Sequence, residues 1–132
     1  MKISFSVDTK PYSQPRPRVV HGHAFEPKNV AEYKQTIAIV GRAAMRGRPL
    51  FSSSCAVAVT IRRNIDICSR NFGDVDNHVK AVLDAINGVC YTDDRLVVSV
   101  IAIKIKSAVE GVDVIVADSL LDILSNLKEE PS

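Results

Sequence analysis

The sequence predicts a single α+β domain in which a mixed β-sheet is packed by about three helices. The chain of 132 residues is long enough for one hydrophobic core but not for two. Its 46% hydrophobic and 24% charged residues are typical of a globular protein. Short β-rich runs and helical runs are interspersed without a regular βαβ rhythm, which favours a mixed sheet over an all-parallel one.

The first third of the chain predicts a strand, an irregular stretch and a long helix. Residues 3–7 alternate apolar and polar side chains, which is typical of a half-buried strand. Three prolines then interrupt regular pairing, and a short extended piece follows over 19–25. Residues 28–46 carry apolar residues near helical spacing, namely Val30, Tyr33, Ile37, Val40 and Ala44.

The rest of the chain predicts three strands and two helices. Residues 55–61 are rich in β-branched residues and predict a strand. Helix two spans 75–87, and its apolar face consists of Val75, Val79, Val82, Leu83 and Ile86. Residues 96–105 form the longest apolar run, which predicts a central strand buried on both faces. A strand over 112–117 precedes a last helix over 118–128, whose core residues are Leu120, Leu121, Ile123, Leu124 and Leu127.

Charge is distributed unevenly along the chain. Residues 1–50 hold nine Lys/Arg and three Asp/Glu, whereas residues 51–132 hold eight Lys/Arg and twelve Asp/Glu. The total of +2 conceals this asymmetry, which suggests an anionic partner for the first part and cations for the second.

Compartment and thiol chemistry follow from what the sequence lacks. It contains no apolar run suited to a signal peptide or a transmembrane segment. Cys55, Cys68 and Cys90 have neither metal-binding nor paired spacing. We therefore expect a cytoplasmic protein without a membrane partner, whose reduced thiols pack as small hydrophobic side chains.

Carboxylates cluster around helix two, at Asp74, Asp76, Asp84, Asp93 and Asp94. Asp76, Lys80 and Asp84 are four residues apart and would form one stripe on a helix. Clustered carboxylates repel one another unless a cation neutralises them, and Mg²⁺ prefers oxygen ligands together with phosphate and water. The pattern therefore favours metal-dependent phosphodiester chemistry.

The same residues also fit purely structural roles. Asp74 or Asp76 could cap helix two, which is worth about 1 kcal/mol. The Asp93-Asp94 pair could form an ordinary turn. Lys80 could pair with the next carboxylate along the helix, in solvent. Spacing alone leaves these alternatives open.

The composite pattern carries a family resemblance. It runs from Asp74-x-Asp76-Asn77-x-x-Lys80 through Asp84-Ala85-x-Asn87-Gly88 to Tyr91-Thr92-Asp93-Asp94, and the early segment Pro15-Arg16-Pro17-Arg18 precedes it. This pattern resembles the signature of the RusA family of Holliday-junction resolvases, whose members are small single domains. His78 departs from the family, which usually has an aliphatic residue at that position.

The resemblance implies a homodimeric, Mg²⁺-dependent endonuclease that cuts four-way DNA junctions by paired nicks. One or two ions per site are expected, Mn²⁺ is expected to substitute, and no small-molecule cofactor is implied. By position, the catalytic and metal-binding carboxylates would be Asp74, Asp76 and Asp94, the essential lysine Lys80, and the supporting residues Asn77, Asp84 and Asp93. The resemblance also suggests a bacterial or phage origin.

DNA would be held by a set of arginines, namely Arg16, Arg18, Arg62, Arg63 and Arg70. The first two lie on a proline-stiffened segment, which costs less entropy to order than a flexible arm. The others flank the loop that leads into the acidic cluster. Phosphate contacts of this kind make affinity salt-dependent, although any single arginine could instead be a solvated surface residue.

Some assignments stay open at this point. We expect His78 on the surface of helix two, His21 and His23 in a surface hairpin, and Phe72 as a packing residue or a wedge at a junction or dimer contact. The carboxylates would also suit a Mg²⁺ nuclease of flaps or forks. A non-catalytic nucleic-acid binder and a structural module without nucleic acid are further alternatives.

Overall fold

A four-stranded mixed sheet, a two-stranded hairpin and three helices make up the described part of the chain. The structure is a computed structural model that describes residues 1–15, 18–20 and 22–125, with the backbone alone at 18–20 and 23–25. The α+β class and the mixed sheet are confirmed. The elements are β1 (Lys2–Val7), β2 (Arg18–Val20), β3 (His23–Phe25), α1 (Lys28–Met45), β4 (Cys55–Arg63), α2 (Val75–Ile86), β5 (Val97–Lys106), β6 (Gly111–Ala117) and α3 (Leu120–Ser125).

The order of strands in the main sheet explains the position of α2. The order is β1-β6-β4-β5, with β4 and β5 parallel and the other neighbours antiparallel. Two parallel neighbours require a crossover connection, because a tight turn reverses the chain and can join only antiparallel strands. Residues 64–96 supply that crossover, so α2 and the acidic residues around it lie between the end of β4 and the start of β5.

Helices cover both faces of the sheet. α1 and α2 pack on one face over a largely aliphatic core, to which β4 contributes Val57 and Val59. α3 packs on the other face through Ile123, against the alternate β4 residue Ala56. The alternation along β4 follows from the period of two in an extended chain.

The strand predicted to be central lies at the edge of the sheet. Among the described strands β5 pairs with β4 alone, and none of its ten residues is buried. The apolar residues Val98, Val100 and Ile103 are 68%, 44% and 49% exposed. The central positions belong to β4 and β6, which are buried along much of their length. The prediction was wrong because apolar composition does not specify strand order.

The helices lie close to their predicted positions, but some of the residues that they bury differ from the predicted ones. α1 agrees with the prediction, although Gly41 and Met45 are fully buried where Val40 and Ala44 are only partly buried. α3 begins at Leu120, two residues later than predicted, and Leu121 is 76% exposed, so Ile123 is its buried residue among those described. The predicted core residue Leu127 lies outside the described residues.

Two further findings concern thiols and membranes. Cys55 and Cys90 are buried as expected, but Cys68 is exposed on the crossover and does not pack in the core. No helix within the described ranges has the length and apolar character to cross a membrane.

Candidate functional site

A groove between α2 and the start of β5 brings together most of the charged residues singled out from the sequence. Its volume is about 340 Å³, and its lining is Asp76, Val79, Lys80, Leu83, Asp84, Asp94, Val97 and Val100. The predicted stripe on α2 is therefore real: three charged residues, one turn apart, face one groove. Asp94 joins them from the short 3₁₀ turn Asp94–Leu96 that precedes β5.

The carboxylates of the groove differ in their partners. Asp76 and Asp94 are exposed, and neither forms an ion pair with a cation in the described ranges. Asp84 instead contacts the Lys34 ammonium at 3.5 Å, which links α2 to α1. Lys34 also holds Glu26 at 2.6 Å. Asp84 is thus partly neutralised within the fold, whereas Asp76 and Asp94 have no such partner among the described residues.

Asp74 stands apart from this groove. It occupies the N-cap position of α2 but makes no capping hydrogen bond, and it does not line the groove. Over the residues that the structure describes, no three His, Cys, Asp or Glu side chains converge in a way that could hold a metal ion. Of the three predicted carboxylates, Asp76 and Asp94 share the groove, and Asp74 lies two residues before Asp76, at the N-cap of α2.

The donor chemistry of the groove suits Mg²⁺. This ion commonly binds one or two carboxylates and completes its octahedron with waters and substrate phosphates. Asp76 and Asp94 provide two exposed carboxylates beside an open groove that can admit the waters and a substrate phosphate. A site of this kind does not require three protein ligands to be assembled in advance.

Asp93 and Asn77 have contacts of a structural kind. Asp93 accepts a hydrogen bond from the Arg95 amide at 3.1 Å and pairs with the Arg95 guanidinium at 3.4 Å. The amide hydrogen bond, together with weaker effects, lowers the pKa of the Asp93 carboxyl. Asn77 accepts the Gln14 amide at its carbonyl, at 2.9 Å. That bond ties the proline-containing segment to the first turn of α2.

The loop that carries Asp74 is held by three basic side chains from three elements. Arg63 of β4 donates to the Asn71 carbonyl at 2.6 Å, and Lys104 of β5 donates to the Gly73 carbonyl at 2.9 Å. A ring nitrogen of His78 contacts the carbonyl between them. Sequence reasoning missed Lys104. The signal for it was one lysine within the apolar run 96–105.

Gly73 is required by the shape of this loop. Its φ of +88° lies in the left-handed region, which side chains other than glycine rarely adopt. A Cβ at this position would lie 3.2 Å from His78 Nε2 and 3.4 Å from Ser13 Oγ. The backbone just before Asp74 therefore approaches α2 more closely than a larger residue allows.

His78 is buried, contrary to the expectation of a surface position. It is 1% exposed, and Nε2 donates to the Phe72 carbonyl while Nδ1 has no hydrogen-bond partner within the described structure. Desolvation lowers the pKa of His78, with smaller opposing and reinforcing effects from its neighbours. Phe72, also 1% exposed, packs edge-to-face on His78 with ring centroids 5.7 Å apart, so it is a packing residue and not an exposed wedge.

The predicted DNA-binding arginines fall into different groups. Arg62 is engaged by Asp8 and Asp113, and Arg63 by Glu110 and the loop, with side chains only 12% and 13% exposed. Arg70 is exposed and forms no ion pair with another described residue. Arg16 lies outside the described residues, as does His21. Arg18 begins β2, in the hairpin that also contains His23.

Comparisons with known proteins give one clear result. No curated protein matches the chain. The family model described as endodeoxyribonuclease RusA matches residues 8–117, which include the whole crossover, the groove and the loop before α2. The match spans most of the 132 residues. It agrees with the carboxylate and lysine pattern around α2, and the chain belongs to the RusA family of endodeoxyribonucleases, which act on Holliday junctions.

Proposed function

We propose that the protein is a Mg²⁺-dependent endonuclease that resolves four-way DNA junctions by paired nicks, as a homodimer. One observation carries the proposal: Asp76, Lys80 and Asp94 line a single open groove, and none of the three forms an ion pair within the described residues. Unpaired side chains of opposite charge that line one groove can bind an external cation and an external anion.

Asp76 and Asp94 would hold the metal, with Asp74 as a further carboxylate at the N-terminus of α2. Bound Mg²⁺ supplies charge that polarises a phosphate and lowers the pKa of a coordinated water. Asp74 supports this assignment because its carboxylate makes no capping bond and so is not committed to the helix. The site would hold one or two Mg²⁺ ions, and Mn²⁺ would substitute for them.

Lys80 would bind the scissile phosphate and offset the negative charge that grows on it during cleavage. It lies one turn beyond Asp76 on the same stripe, and its ammonium has no carboxylate partner within the described structure. A lysine with this freedom can move with its substrate.

DNA outside the groove would be held by Arg16, Arg18 and Arg70. The Gln14–Asn77 hydrogen bond supports this, since it anchors the chain two residues before Arg16 at the first turn of α2. Arg70 is exposed on the loop that leads to Asp74. We leave Arg62 and Arg63 out of this surface because their guanidinium groups are engaged within the fold.

A dimer would supply the second cut, since one groove per chain serves one strand and a two-fold axis provides an equivalent groove. The uncovered apolar edge of β5 supports association, because long exposed edge strands tend to be covered by another chain or element. Sedimentation of the purified protein tests this. A monomer that makes both nicks would contradict it.

The decisive experiment measures cleavage of a synthetic four-way junction with Mg²⁺, with Mn²⁺ and in EDTA. We expect paired nicks with either metal and none in EDTA. Asp76→Asn should lower the cleavage rate by about 10²-fold or more while the junction still binds. The matched control is Asp122→Asn on α3, an exposed carboxylate across the sheet from the groove, and it should cut like the parent.

Other results would select the alternatives. Equal cleavage of flaps or linear duplex would make the protein a less selective Mg²⁺ nuclease. Junction binding that persists in EDTA, without cleavage in any metal, would make it a non-catalytic binder. Wild-type rates in Asp76→Asn would remove the groove from the mechanism altogether.

A further inference from the structure

Three consecutive backbone carbonyls in the loop before Asp74 each accept a hydrogen bond from a basic side chain. The acceptors belong to Asn71, Phe72 and Gly73, and the donors come from β4, α2 and β5. Loops are usually the more mobile parts of a domain. A loop whose successive carbonyls are each held from a different element is instead fixed relative to the sheet.

Lys104 makes the contact nearest to the acidic residues. Its Nζ donates to the carbonyl of Gly73, which is the residue bonded directly to Asp74. The same ammonium lies 4.9 Å from the centroid of the Phe72 ring, within the range of a cation–π contact. One charged group thus holds both the backbone and the side chain of the segment leading into α2.

The place of Lys104 in the fold makes this contact informative. It projects from β5, a strand whose neighbouring positions are mostly apolar, and it is only half-buried. Its side chain lies on the face of the sheet that carries α2, since its partner in the register is the core residue Ile61. The loop, α2 and the edge strand therefore meet at this ammonium.

We propose that Lys104 is a positioning residue of the nuclease site, which holds the loop through the Gly73 carbonyl and thereby sets where Asp74 presents its carboxylate. The inference rests on the proposed function. The Asp74 carboxylate forms no hydrogen bond or ion pair with a described residue, so its location follows its backbone, which α2 holds through the His78 amide at 3.2 Å and the loop holds through Gly73. Displacements of about 1 Å can cost about 10²-fold in rate, because reacting groups must be aligned.

The test uses Lys104→Met, which removes the charge and the donors but keeps the length of the side chain. Lys106→Met is the matched control: it lies two residues along the same strand, on the same face, and is exposed without an ion pair in the described structure. Lys104→Arg, which keeps the charge and the donors, should restore most of what Lys104→Met loses.

The first measurement is amide hydrogen exchange of residues 70–76, made without metal or DNA. In Lys104→Met these amides should exchange about 10-fold faster than in the parent, because the loop opens more readily. Lys106→Met should match the parent. Unchanged exchange in Lys104→Met would overturn the proposal, whatever the outcome of the cleavage assays.

The second measurement is the Mg²⁺ dependence of junction cleavage, with junction affinity measured separately in EDTA. Lys104→Met should need more Mg²⁺ or cut more slowly, by about 10- to 100-fold, as residues that orient metal ligands do. Affinity in EDTA should stay close to that of the parent. A loss of affinity with a smaller salt dependence would instead identify Lys104 as a phosphate contact and overturn the proposal.

Failures of the two proposals can be told apart. If the parent cuts no junction, the proposed function fails, and loop exchange still decides whether Lys104 holds the loop. If Lys104→Met does not fold, Lys104→Gln keeps an N–H donor without the charge and undergoes both measurements. Faster loop exchange with unchanged Mg²⁺ dependence would reject the positioning role and leave Lys104 a purely structural contact.

Discussion

Two charged clusters of this protein differ in whether the fold itself neutralises them. At one end of the sheet, Arg62 donates to Asp113 at 3.0 and 3.2 Å and to Asp8 at 2.8 Å. In the groove beside α2, Asp76 and Asp94 form no ion pair within the described ranges. Asp8 and Asp113 are thus paired with Arg62, whereas Asp76 and Asp94 line a groove with Lys80 but are not paired with it.

The difference separates stability from function. A charge paired and hydrogen-bonded within the fold contributes to the free energy of unfolding, and its removal leaves its partners uncompensated. A carboxylate pair left without a cation costs stability through repulsion, and is usually retained where a ligand supplies the charge. The Arg62 cluster is therefore a structural contact, and the groove is where an external cation and phosphate are expected.

The largest effect is expected at the cation of the open groove. Lys80→Met should lower the rate of junction cleavage by about 10²-fold, because charge on the phosphate is no longer offset. Junction affinity should change much less, since many contacts share it. The matched control is Lys28→Met on α1, where an exposed lysine pairs with Glu32. Parent-like cleavage by Lys80→Met would reduce this lysine to a solvated helix residue.

A smaller effect, on the free energy of unfolding, is expected for Arg62 and its two carboxylate partners. Arg62→Met should lower the free energy of unfolding by about 2 kcal/mol, since several hydrogen bonds to charged groups are lost together. Denaturant titration measures this. Arg42→Met, an exposed arginine of α1, should change stability by less than about 0.5 kcal/mol. Unchanged stability with weakened junction binding would return Arg62 to the DNA-binding surface predicted from the sequence.

The smallest effect on stability is expected for His78, the buried histidine beneath the loop 71–73. Because burial lowers the pKa of His78 below 6.5, the unfolded chain binds a proton that the folded chain resists. The stabilisation is present above pH 6.5 and is lost as pH falls through that value. His78→Leu should therefore flatten the fall in unfolding free energy between pH 7.5 and 5.5, by at most about 1.4 kcal/mol per pH unit.

This last comparison is best made in EDTA by denaturant unfolding at several pH values. The carboxylates titrate in both chains, so they cancel in the difference between the two curves. Parallel curves for the parent and His78→Leu would mean that His78 is protonated as readily in the folded chain as in the unfolded one.

Local patterns predicted much of the fold and of the site. Helical spacing located α1 and α2, a β-branched run located β4, and spacing by four residues placed Asp76, Lys80 and Asp84 on one stripe. These are short-range properties, because side-chain direction repeats with the local backbone period. That Asp94 would reach the same groove followed from the family resemblance, and the crossover geometry agrees with it.

What local patterns missed depends on which elements become neighbours. The most apolar strand was expected at the centre, yet β5 lies at the edge because the crossover through α2 returns the chain beside β4. His78 was expected in solvent, yet the loop folds over it. Arg62 was predicted to bind DNA from its position alone, and local patterns did not show that Asp8, just after β1, and Asp113 of the adjacent strand β6 contact its guanidinium.

The amino-acid sequence by itself determined the class of fold, the elements, and the chemistry that the carboxylates and Lys80 make possible. The tertiary structure decided which of these charges are neutralised within the fold and which stay open. It also decided that Lys104, an isolated lysine in an apolar run, meets the loop before Asp74. The reason is physical: side-chain chemistry and backbone period are local, whereas pairing and burial depend on contacts between residues far apart in the chain.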